Sequence, residues 1–175
     1  VLREHEGSTL GEIKEDGYRA QIHKQGDDIR AYTRAMNQIH LELFPELHNS
    51  LKRLPDCILD AELIGDEKVG HKGFQSVKKR FRPRISEKGK EKYLESGIMT
   101  EFPLAMRVFD TLYWEGRPMI NQPIEERRKY TEGIDEAKII PSTQRLIHGP
   151  EELQKWFEEL TGEQYEGLVC KKPGS

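Results

Sequence analysis

Apolar and polar residues alternate along this chain in short runs broken by glycine, proline and acidic pairs. Residues 10–14, 18–24 and 29–34 repeat with a period of two and predict strands. Gln25-Gly26-Asp27-Asp28 supplies a hairpin turn between the second and third. Residues 57–64 (CILDAELI) and 104–113 (LAMRVFDTLY) predict two further strands, and 165–171 (YEGLVCK) a last one. Elsewhere the spacing becomes helical. Pro45 can open a helix that places Leu47, Leu51 and Leu54 on one face. Phe74, Val77 and Phe81 outline a short second helix, and Pro123 starts another through Glu125-Glu126-Arg127-Arg128. Pro150 starts the clearest, with Leu153, Trp156, Phe157 and Leu160 as its core stripe and Glu151 and Glu152 in the first turn. Hairpin signals dominate, so the expected class is α+β with largely antiparallel sheets flanked by helices.

The same periodicity assigns faces. In CILDAELI, Cys57, Leu59, Ala61 and Leu63 point to a core, while Asp60 and Glu62 leave the other face together. Two carboxylates so placed repel one another unless they are solvated or something binds them. In LAMRVFDTLY, Leu104, Met106, Val108 and Leu112 form the apolar face, and Arg107, Phe109 and Thr111 the other. Phe109 on a polar face either covers a second layer or stacks on a base. Lys14 precedes Asp16-Gly17 and is followed by Arg19. It is either a solvated lysine beside a charged hairpin turn or a nucleophile. A free lysine, with a pKa of about 10.4, is protonated at neutral pH, and attack requires the neutral amine. Arg19 and Arg34 could supply the neighbouring positive charge that favours it, and a lysine with two arginines suits a phosphate group. Arg30, Tyr32 and Arg34 share one face of their strand. Glu166 and Lys171 bracket the last apolar run, and a carboxylate beside a phosphate is a natural Mg²⁺ ligand.

Composition sharpens this reading. At 175 residues the chain has the length of one domain, yet 34% of its residues are charged. Its mean hydropathy is −0.79, which fits a thin core and a large polar cleft. The net charge of −3 means that a nucleic-acid partner would have to be met by local charge. The stretch with Lys78, Lys79, Arg80, Arg82, Arg84, Lys88, Lys90 and Lys92, relieved only by Glu87 and Glu91, is either a solvated loop or a contact for a DNA backbone. The two cysteines, Cys57 and Cys170, make no disulfide framework. Free thiols suit a reducing compartment, and with no signal peptide or membrane-length apolar run the expected location is intracellular. No pair of histidines has the spacing of a helical metal site.

Taken in order, these segments resemble the adenylation (nucleotidyltransferase) domain of ATP-dependent DNA ligases. KEDGYR is similar to the family's Lys-x-Asp-Gly-x-Arg motif. YTRAMN resembles the arginine motif that follows, with Thr33 where serine is usual. LDAEL resembles the Asp-Gly-Glu motif, with Ala61 replacing glycine. GFQSVKKRFRPR resembles a basic stretch of DNA ligases. VFDTLYWEG followed by QPIEERR resembles the strand of the adenine-stacking aromatic and its arginine-rich helix. YEGLVCK resembles the Glu-Gly motif.

The resemblance implies an ATP-grasp-like nucleotidyltransferase fold and a set of roles. Lys14 would attack the α-phosphate of ATP to form lysyl-AMP. Glu12 would help recognise adenine, Phe109 would stack on it, and Glu62 would hold the ribose. Arg19 and Arg34 would contact ribose or phosphates, and Lys171 would sit near the phosphates. Glu166, with Glu62, would bind Mg²⁺. Lys79, Arg80, Arg82 and Arg84 would hold the DNA backbone. The implied partner is nicked double-stranded DNA, bound by a monomer. An RNA ligase, a GTP-using capping enzyme and a non-catalytic nucleic-acid-binding module are the alternatives. The family's closing Lys-x-Lys strand and its oligonucleotide-binding (OB) domain do not follow Ser175, so the expectation is a partial adenylation domain spanning 1–175.

Overall fold

A computed structural model of the chain describes residues 1–66, 74–81, 85–163 and 165–175. Two sheets lie side by side, each backed by its own helices. The larger is built from β2 (Tyr18–Gln25), β3 (Asp28–Thr33), β4 (Gln38–Ile39), β5 (Cys57–Gly65), β6 (Leu104–Trp114) and β7 (Arg117–Pro118). Its order is β4-β3-β2-β5-β6-β7, and β8 (Ile139–Pro141) pairs parallel with β6. The smaller sheet has β1 (Thr9–Lys14) between β10 (Gly167–Lys171) and β9 (Gln144–Ile147). Every pairing except β6–β8 is antiparallel, as the hairpin signals require.

One face of the large sheet is dry. Ile22, Leu59, Ala61, Met106 and Val108 are fully buried against Leu47 and Leu51 of α1 (Pro45–Lys52) and Val77 of α2 (Phe74–Arg80). Each such aliphatic side chain contributes about 1.5–3 kcal/mol on burial. The remaining helices are α3 (Glu87–Glu95), α4 (Ile98–Glu101), α5 (Ile124–Glu132) and α6 (Pro150–Gly162). Helix α6 covers the back of the small sheet with Trp156 and Leu160, which pack on Ile147 and Ile13. Gly11 is the point of closest approach: a Cβ there would lie 2.6 Å from the Trp156 ring.

Several expectations are corrected. Asp16-Gly17 is not a hairpin turn, because β1 and β2 belong to different sheets. The linker instead crosses from one sheet to the other, pressed so closely on β5 that a Cβ at Gly17 would sit 2.2 Å from the Leu63 carbonyl oxygen. Thr111 is fully buried while Leu112 is partly exposed, the reverse of simple alternation. The cause is a pair of bulges in β6: Leu59 pairs with Thr111 and Ile58 with Tyr113, while Asp60 pairs with Asp110 and Ala61 with Val108. Each bulge inserts one residue and inverts the alternation beyond it. Residues 87–95 form helix α3 rather than a loop, started by Ser86, whose hydroxyl accepts the Gly89 N–H. Phe157 is 42% exposed, so only the Trp156 and Leu160 side of α6 is core.

Candidate active site

A cleft of about 720 Å³ opens between the polar faces of the two sheets. Lys14 enters it from the end of β1, opposite Gly167 at the start of β10. Its Nζ donates to Glu166 Oε1, and both side chains are about half exposed. Two residues earlier on the same face, Glu12 is buried and held twice. Lys171 Nζ lies 3.0 Å from one of its carboxylate oxygens, and the Gln144 amide donates to the other. Gly167 has φ +148°, a backbone angle that favours glycine, and its neighbour Glu166 lies at the nucleophile's side of the cleft.

The large sheet supplies the opposite wall. Arg19 Nη2 donates to Asp60 Oδ2 at 2.7 Å, which takes up the inner of the two paired carboxylates. Gln21 donates to the other Asp60 oxygen at 3.2 Å. Glu62 faces Arg19 and Arg107 across its neighbouring strands, but its carboxyl makes no hydrogen bond or ion pair among the described residues. Burial pushes its carboxyl up to about 7; Arg19 opposes this, Glu15 and Asp16 reinforce it, and Lys14 opposes it more weakly. Glu15 is drawn to Arg107 at 2.9 Å. The bulge in β6 brings two consecutive residues, Phe109 and Asp110, to the cleft. Cations flank the Phe109 ring, with Lys171 Nζ 5.3 Å and the Arg19 guanidinium carbon 6.0 Å from its centroid. The cleft therefore presents both an aromatic face and a lysine amine among carboxylates and arginines.

The whole chain, residues 1–175, matches the family model described as ATP dependent DNA ligase domain. The chain belongs to this family. It is 30% identical to DNA ligase 1 of Korarchaeum cryptofilum over 97% of its own length and 30% of that protein's. It is 32% identical to DNA ligase 2 of Methanosarcina acetivorans over 99% of its length and 31% of the relative's. The chain thus spans about 30% of the curated relatives it matches. The fold is shared with mycobacterial DNA ligase D complexed with ATP and MES, at TM-score 0.70 and 20% identity, over 96% of this chain and 49% of that one. It is also shared with the ATP-dependent DNA ligase of bacteriophage T7 in complex with ATP, at TM-score 0.63 and 19% identity, over 98% and 58%.

The ligase fold brings together every residue singled out for nucleotide or metal: Lys14, Glu12, Arg19, Arg34, Glu62, Phe109, Glu166 and Lys171 all line the one cleft. Lys171 lies at the Glu12 and Phe109 end of it. The set expected to contact DNA divides. Lys79 is exposed, with its ammonium 4.1 Å from the centre of the Phe102 ring. Arg80 is fully buried. Its guanidinium donates to Glu46 at 2.7 Å, to Tyr93 Oη at 2.7 Å and to the carbonyls of Phe102 and Leu43. It has no surface to offer a DNA strand, because an arginine in a basic run can equally be the buried tie of a small helix. Arg82 and Arg84 lie outside the described residues. Lys90, counted in the basic stretch, is paired with Glu42 at 2.8 Å.

Sequence reasoning missed Arg107, Asp110, Ser142 and Val169, which also line the cleft. Arg107 was placed on the right face without a role. Val169 is signalled by its register: it pairs with Glu12, so it shares that residue's face. Among the described residues no helix is long and apolar enough to cross a membrane, and no group of three or more His, Cys, Asp or Glu side chains is disposed to hold a metal ion.

Proposed function

We propose that this chain is the nucleotide-accepting part of an enzyme that seals nicks in double-stranded DNA, working as a monomer inside the cell. One observation carries the reading: six separated segments deliver a lysine, two arginines, an aromatic ring and the carboxylates of Glu62 and Glu166 to a single cleft drawn from one chain. ATP lies with its base between Phe109 and Val169, within reach of Glu12, and with its phosphates toward Lys14. Lys14 Nζ forms a bond to the α-phosphorus, the bond from that phosphorus to the bridging oxygen breaks, and pyrophosphate leaves. The amine must lose its proton, and Glu166 Oε1, which accepts its hydrogen bond, is the group placed to receive it. Arg19 and Arg34 stabilise charge on the phosphoryl oxygens, first of ATP and then of the 5′-phosphate that accepts AMP. The 3′-hydroxyl then displaces AMP and joins the strand.

The donor set also suits Mg²⁺. That ion takes one or two carboxylates and completes its shell with water and phosphate oxygens. Glu62 and Glu166 both line the cleft and would be such a pair, and the crowding of Glu62 by Glu15 and Asp16 is the kind of repulsion that a cation relieves. When bound, it would neutralise charge on the triphosphate.

Intact mass after incubation with ATP and Mg²⁺ tests this reading, with GTP and Lys14→Ala as controls. One AMP is gained from ATP alone and is absent in the variant. The label should then move to a nicked duplex bearing a 5′-phosphate and not to one bearing a 5′-hydroxyl. Failure to gain AMP, both in this chain and in one extended to the length of its relatives, overturns the proposal. Gain from GTP would favour the capping-type alternative.

A further inference from the structure

Alternation already turns Phe109 to the cleft with Arg107, and the bulge at this point in β6 sets Asp110 beside it; a bulge needs to be held. Ala61 pairs with Val108 and Asp60 with Asp110, leaving Phe109 as the inserted residue. If the insertion moved one position toward the N-terminus, the alternation would carry the ring off the cleft-facing side. The residue next to it is tied down on three sides. Asp110 Oδ1 accepts its neighbour's backbone N–H, from Thr111, at 2.9 Å. Arg127 Nε donates to the same oxygen at 2.8 Å, and Arg127 Nη2 to Asp110 Oδ2 at 3.2 Å. Both side chains are mostly buried, at 12% and 18% exposure for Arg127 and Asp110. The guanidinium is itself fixed, since Arg127 Nη1 donates to the carbonyls of Gln122 and Ser175. Ser175 is in turn held by the Ile124 N–H at 2.8 Å.

We propose that the Asp110–Arg127 pair is a positioning device that fixes the bulge and so sets how tightly the cleft holds the base of the nucleotide. Asp110 borders the cleft, but its oxygens are occupied by Arg127 and the Thr111 backbone, so it acts through Phe109. Arg127 acts from α5, behind β6. The proposal rests on the reading of Phe109 as the base-stacking ring. A merely structural ion pair would weaken binding of every ligand together or lower stability alone. A positioning pair weakens only ligands that carry a base.

The experiment is calorimetric binding to this chain of ATP and of ribose 5-triphosphate, which has no base, at constant Mg²⁺. Phe109→Ala should weaken ATP about tenfold and leave ribose triphosphate unchanged. Asp110→Asn, nearly isosteric and still able to accept the Thr111 N–H, should give a loss of the same kind, about three- to tenfold. Arg127→Gln should match it, and Arg127→Lys should recover part of the loss. The double variant Phe109→Ala with Asp110→Asn should bind ATP no more weakly than Phe109→Ala alone. If Phe109→Ala discriminates between the ligands but Asp110→Asn does not, the positioning role is overturned and the base-stacking reading stands. Additive losses in the double variant, or equal losses for both ligands, also overturn it. If Phe109→Ala itself fails to discriminate, the stacking reading falls and the positioning role with it. Should Arg127→Gln prove too unstable to assay, Asp110→Asn decides alone.

Discussion

At neutral pH the Glu62 carboxyl is close to half protonated, because burial raises it to about 7 while Arg19 and Lys14 only partly compensate. The consequence for stability has a definite sign. The folded protein binds this proton more tightly than the unfolded chain does, so the contribution is complete below the ordinary carboxyl range near 4.5 and is lost as pH rises through about 7. Glu62→Gln removes that dependence. The variant should gain on the parent between pH 5 and pH 8 by about 1–2 kcal/mol in urea unfolding, after allowance for solvent screening of a partly exposed group. A difference that does not change with pH would show that Glu62 ionises like a surface carboxylate. At this scale the sequence was informative: the two-residue spacing of Asp60 and Glu62 placed both on one face, and they do share it. It could not say that Arg19 and Gln21 would engage Asp60 and leave the Glu62 carboxyl to be raised by burial. That division depends on which strands pair, and pairing is decided across the chain.

Elements show the same boundary between what is local and what is not. Strand alternation and proline-started helices gave the main elements because each signal lies within one segment. The β8 and β9 strands were missed because three or four residues around Pro141 are too few to show a period. The bulges in β6 were invisible for another reason. They are a property of the β5–β6 register, yet they decide that Phe109 and Asp110 share the cleft. The Asp16-Gly17 linker is the sharpest case, since the sequence of a hairpin turn here performs a crossing between sheets. Gly17 is needed for approach, not for a left-handed backbone. Gly17→Ala drives a Cβ against the Leu63 carbonyl, which is backbone and cannot swing away. The expected result is a loss of about 2 kcal/mol, within the range for overpacking, and slower AMP labelling because Lys14 precedes the displaced linker. Thermal melts and the intact-mass assay check both. Normal stability with normal labelling would mean that the linker has room the structure does not show.

For the molecule as a whole, the question is how a chain of net charge −3 would engage the polyanion proposed as its substrate. Two neighbouring residues in α2 separate the answer from the architecture beneath it. Arg80 is the tie that joins α2 to α1, α3 and the end of α4 through Glu46, Leu43, Tyr93 and Phe102. Removing it strands a carboxylate and two carbonyls. Arg80→Gln should therefore cost about 3 kcal/mol, a fall of roughly 10 °C in Tm for a chain of this size. Lys79, one position earlier, is exposed and leans on the Phe102 ring. Lys79→Glu should leave Tm nearly unchanged and weaken binding of a nicked duplex, with the slope of log affinity against log salt reduced by about 1. The two substitutions must then give opposite patterns, stability lost at one and salt-dependent affinity at the other. If Lys79→Glu leaves the salt slope intact, the exposed edge of α2 does not meet the DNA backbone. Phosphate contact would then have to come from other cations, the arginines of the cleft among them, whose loss would weaken DNA binding and adenylation together.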